Sequence, residues 1–151
     1  MKKAVRKKRN GEQGAAAIEF ALVLPLLIIL FFGIIECSII LYDKAVITNA
    51  SREGARVGIV YRFDPSNTGG ANHPGDTEIE NTINNYIQNH LISLGAPSTA
   101  QIPTPTRTGD AAGDILTVTV NYNYHFLVLP DFITTLTGPI SLSATTVMRM
   151  E

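Results

Sequence analysis

Residues 20–35 read FALVLPLLIILFFGII, sixteen positions without a charged side chain. The flanks at 15–18 and 37–42 are nearly as apolar, and Glu19 and Glu36 are the only charges between Ala15 and Tyr42. At the helical rise per residue the uncharged run covers about 24 Å and the longer stretch about 42 Å, against a hydrocarbon thickness of roughly 30 Å. A helix over residues 15–42 is therefore long enough to cross a bilayer. A buried helix of a soluble domain is the alternative. Six basic residues immediately ahead of the run, Lys2, Lys3, Arg6, Lys7, Lys8 and Arg9, favour the membrane.

Those six are half of the 12 Lys and Arg in the chain, and only Glu12 opposes them before Gly14. The overall net charge of −1 thus hides a strongly basic head and an acidic remainder. By the positive-inside rule the head stays cytoplasmic and the residues after Tyr42 lie outside. The chain is expected in the cytoplasmic (inner) membrane as a single-pass protein. The near-neutral total gives no case for nucleic-acid binding. A cleaved secretory signal carries its small residues after the apolar run, whereas Ala15, Ala16 and Ala17 precede it. Cys37 is the only cysteine, so it forms no intramolecular disulfide, and Glu36 before it argues against lipidation.

Between head and run stands Gly14-Ala15-Ala16-Ala17-Ile18-Glu19-Phe20. This junction resembles the prepilin class of bacterial secreted proteins, and Phe20 after Glu19 resembles its tight-adherence (Flp) branch. More particularly, GAAAIEFALVLPLLIILFFGIIE, continuing through YDKAVITNASREGARVG, resembles the TadE-like family of pseudopilins, with the resemblance strongest over residues 11–60. It implies cleavage by a prepilin peptidase between Gly14 and Ala15, a pilin-like plan, and a role in pilus assembly beside other pseudopilins. It also implies that Glu19 and Phe20 form the recognition and assembly motif.

The residues can be read without the family. Gly14 followed by three alanines offers little steric obstruction to a peptidase. Cleavage there would leave a new amine on Ala15, mostly protonated at neutral pH, with Glu19 about 6 Å farther along a helix. A carboxylate at the edge of hydrocarbon calls for a partner, which makes the amine of the same or a neighbouring subunit the favoured one, with plain solvation the alternative. Glu36, at the other end of the run, is expected at the outer interface. Pro25 removes a helical hydrogen bond within the run and Gly33 adds a second soft point.

Beyond Tyr42 the apolar residues Val46, Ile47, Ala50, Val57 and Tyr61 recur at helical spacing among charges, so the helix should continue to about Tyr61 as an amphipathic segment. Arg52, Glu53, Gly54 and Arg56 are helix-packing candidates there, with Glu53 and Arg56 spaced to pair. Residues 64–75 read as loop. Thr77 with Glu80 suggests a capping box, and Ile79, Ile83, Tyr86, Ile87, Leu91 and Leu94 trace one face of a second helix ended by Gly95-Ala96-Pro97. Residues 101–113 read as a connector. Leu116, Val118, Val120, Tyr122, Tyr124 and Phe126 then alternate with polar residues, and Ile140, Leu142, Ala144, Thr146 and Met148 do so again, predicting two antiparallel strands whose apolar rows, tyrosines included, face a core.

The fold expected is α+β: a long N-terminal helix, transmembrane then amphipathic, with a small extracytoplasmic helix and an antiparallel sheet. Residues 1–14 form a basic cytoplasmic leader, 15–42 the membrane helix and 43–151 the extracytoplasmic domain. Nothing in the sequence points to an enzyme, a cofactor or a metal. There is no nucleophile elbow or phosphate-binding loop, His73, His90 and His125 share no ligand spacing, and Asp76, Glu78 and Glu80 suit a helix dipole. The chain is expected to be a structural subunit. The alternative is an uncleaved, membrane-anchored binding or scaffold module of a secretion complex.

Overall fold

The computed structural model describes residues 10–62, 73–92, 100–126 and 138–151, with side chains from Gly14 onward. The fold is α+β. Helix α1 (Asn10–Gly58) is followed by α2 (Asp76–His90), β1 (Thr106–Arg107), β2 (Ile115–Tyr124) and β3 (Ile140–Arg149), and the strands form one antiparallel sheet in the order β1-β2-β3.

Leu, Ile and Ala dominate α1, and its 49 residues extend about 74 Å. Pro25 sits inside it. Its two halves live in different surroundings. Through Ile35 nearly every apolar side chain is exposed, with Leu22 at 75% and Leu26 at 70%. From Glu36 onward one face is covered. Glu36, Asp43, Ile47, Ala50, Ser51 and Ala55 are all buried, spaced so that they share the stripe of a 3.6-residue period. The helix ends at Gly58, three residues before Tyr61.

That stripe meets two surfaces. Ile79, Ile83 and Ile87, four apart on α2, form a ridge against it, and the row Leu116, Val118, Val120, Tyr122 and Tyr124 of β2 packs beside them. Gly54 and Gly58 let the ridge approach: a Cβ on Gly54 would lie 2.5 Å from Ile83 Cγ1, and one on Gly58 would lie 2.6 Å from both Ile79 Cδ1 and Leu116 Cδ2. The Tyr row is therefore core, as its alternation predicts, with the rings of Tyr122 and Tyr124 edge to face at 6.5 Å.

β2 and β3 pair over ten positions, from Ile115 opposite Arg149 to Tyr124 opposite Ile140. The predicted connector contains a short strand, β1, which pairs Thr106 with Thr117, and a bridge from Gln101 to Asn121. The turn into β2 requires a glycine, since Gly113 has φ +98°.

The start of α2 differs from the expected capping box. Gly75 is the N-cap and no side chain caps the helix; the Gly75 carbonyl instead accepts from the Glu78 and Ile79 amides. Asp76 is engaged by Arg107, which also donates to the Pro74 carbonyl, and Glu78 is held by both guanidinium nitrogens of Arg62 at 2.6 and 2.9 Å. The helix ends at His90, and Gly95-Ala96-Pro97 lies outside the described residues.

Candidate assembly interface

Gly14 and Ala15 are exposed on α1, and a side chain at Gly14 would meet nothing within 4 Å. The bond between them is thus sterically open, although it lies within helical backbone. Glu19 is exposed one turn after Ala15, and Phe20 beside it is 64% exposed. Pro25 is exposed and Gly33 half-buried, with open space where its Cβ would stand. Ile29, Gly33, Cys37 and Leu41 follow one another at one-turn intervals along a shallow apolar hollow that Leu30, Ile34 and Ser38 complete. This half of α1 is long and apolar enough to cross a membrane.

The candidates farther along divide. Gly54 packs inside the fold, against Ile83. Glu53 and Arg56 form the pair their spacing suggests, bidentate at 2.6 and 2.9 Å, on the open surface beside the exposed Arg52. The Arg56 guanidinium holds the Glu53 carboxyl below its ordinary range.

Asp43 was not singled out by the sequence and Glu36 only as the charge ending the apolar run, and they are the most deeply placed acids in the described fold. Glu36 is 1% exposed, and its Oε1 accepts a hydrogen bond from the Tyr124 hydroxyl at 2.5 Å. It is covered by the head at the position where the exposed apolar run ends. Burial, and then the adjoining Glu36, raise the Tyr124 phenol above its ordinary range. Asp43, two turns later, is fully buried; Oδ1 accepts from the Ile92 amide at 3.3 Å, and Oδ2 has no partner among the described residues. Burial pushes its carboxyl up, against the smaller opposing effect of the Ile92 amide, and the Tyr122 phenol is raised by burial and by the Asp43 charge. The signal for both acids was present in the register: 36, 40, 43 and 47 share one helical face with the buried Ile47.

The head therefore begins at Glu36, seven residues before Asp43. What remains uncovered between Ala15 and Ile35 rises about 30 Å, close to a hydrocarbon core. Among the described residues no cluster of His, Cys, Asp or Glu could hold a metal.

No curated protein and no solved structure matches the chain. Residues 14–56 match the model of the TadE-like protein family, over the stretch that runs from the Gly14 junction to Arg56.

Proposed function

We propose that the chain is a pseudopilin or minor-pilin-type structural subunit for assembling a tight-adherence (type IV-like Flp) pilus, cut between Gly14 and Ala15 by a prepilin peptidase. The observation that carries this is the family match beginning at Gly14 and running through the whole exposed half of α1. The basic leader stays cytoplasmic, residues 15–35 occupy the membrane, and the head from Glu36 onward stands on the outer side. This shortens the lipid-facing segment relative to residues 15–42, since the sheet covers one face of α1 beyond Ile35.

The mechanism is helix packing. α1 offers an apolar rod with Gly33 as a point of close approach, and subunits held side by side bury it against one another. Glu19 compensates the amine that cleavage creates on Ala15, its own or a neighbour's. The buried stripe from Glu36 to Gly58 fastens the rod to the head, so that rod and head move as one piece during assembly. Its partners are the peptidase, the membrane and other pilus-assembly components.

Removing the protein from its own cells should abolish surface pili, and supplying the full chain should restore them. Normal piliation in cells without it would refute the role.

A further inference from the structure

The two edges of the sheet differ. On the β1 side, Asn121 exchanges both backbone bonds with Gln101 at 2.8 Å, and the Ile115 carbonyl accepts from the Thr108 amide at 3.0 Å. Odd-numbered residues of β2 therefore turn toward β1 and even-numbered ones toward β3. The register then fixes β3: Ile140, Leu142, Ala144, Thr146 and Met148 bond to β2, whereas Ser141, Ser143, Thr145, Val147 and Arg149 turn their backbone groups away from the sheet. Among the described residues only the Lys44 ammonium reaches that row, donating to the Ser143 carbonyl. The open edge is about 33 Å long, and Val147 on it is 60% exposed. Along the opposite edge, Pro103 and Pro105 break the run of amide donors.

We infer that the β3 edge receives an extended strand from a different polypeptide of the assembly, by β-strand addition. The exclusion of a second copy rests on the membrane reading proposed above. β3 begins at Ile140, opposite the Tyr124 that bonds Glu36, and ends level with Ile115 beside the far end of α1, so it runs along α1 and in the same direction. Copies anchored in one membrane hold their β3 strands parallel. An antiparallel pair of β3 edges needs opposite directions. A parallel pair needs a one-residue stagger that a two-fold axis along the strands forbids, because equivalent amides would face each other. Adding the β1 edge of a second copy meets Pro103 and Pro105.

The chemistry of the incoming strand follows from its neighbours. One side continues Ile140, Leu142 and Met148 and is apolar. The other continues Ser141, Ser143 and Thr145 and is polar, and the Lys44 ammonium at the Ser143 carbonyl favours a carboxylate on the α1-facing side beside it.

The full chain, carrying p-benzoylphenylalanine in place of Val147, is irradiated in its native membranes. The expected result is one product joining this chain to a different polypeptide, lost when Thr145→Pro is added. Proline at 145 removes an outward amide and the exposed hydroxyl contact with Thr119 but no ladder bond, so slow hydrogen exchange at Leu142, Ala144 and Thr146 checks that the β2 ladder persists. A product of two copies, no product, or a product that survives Thr145→Pro overturns the inference. Alkaline washing of the same membranes separates the two readings: release of the chain overturns the membrane reading and with it the exclusion of a second copy, while retention without product overturns the strand addition alone.

Discussion

Tyr124 and Glu36 stand 88 residues apart in the chain, and the hydroxyl of one lies 2.5 Å from the carboxylate of the other, both out of solvent. This contact ties one end of the sheet to α1 at the position where the exposed apolar surface ends. Tyr124→Phe keeps the ring and withdraws the donor from a buried acceptor, so it should cost about 1–3 kcal/mol. Chemical denaturation of the detergent-solubilised protein reads this directly, and an unchanged midpoint would show that the contact contributes nothing.

Asp43 makes stability depend on pH. Its carboxyl is raised in the fold, so the folded state favours the protonated form more than the unfolded chain does. The resulting stabilisation is full below the ordinary carboxylate value and is lost as pH rises through the raised one. Asp43→Asn keeps an acceptor for the Ile92 amide and removes the titration. Measured across mildly acidic to neutral pH, the difference in denaturation midpoint between variant and wild type should shift toward the variant as pH rises. A difference independent of pH would contradict the burial of this group.

Gly54 packs directly under Ile83 of α2. Gly54→Val places branched carbons into Ile83 and should cost about 2 kcal/mol through overpacking. Gly33→Val, where nothing lies within 4 Å, should leave the denaturation midpoint of the isolated protein nearly unchanged. Equal effects at the two sites would contradict the division of α1 into a free half and a packed half.

Glu19 is exposed in the single chain, so its proposed role appears only on assembly. Glu19→Ala should still be cleaved and should fail to support pili when it is the only copy in the cell. Normal piliation would remove the pairing with the Ala15 amine.

The long helix and both ten-residue strands were legible because each carries a clean period, 3.6 for the stripe after Tyr42 and two for the rows of Leu116 to Tyr124 and Ile140 to Met148. β1 was not, since a two-residue strand between Pro105 and Gly109 offers no alternation to read. The α2 cap differs because Thr77 and Glu80 fit a local pattern, while the N-cap lies two residues earlier, at Gly75, with Arg107 and Arg62 drawn in from distant segments. Glu36 was hidden for a similar reason. Hydropathy averages over the helix circumference, and the face of residues 36–42 that belongs to the head shows only when the stripe beyond Tyr42 is carried back in register to Glu36. The proposed processing and assembly residues Gly14, Ala15, Glu19 and Phe20 are read from their order along the chain, and the fold leaves all four exposed.

The N-terminal residue of the protein recovered from membranes and from sheared pili tests the proposed processing most directly. Mass spectrometry should find Ala15 at the terminus. An intact Met1 or Lys2 terminus in cells that are making pili would contradict it.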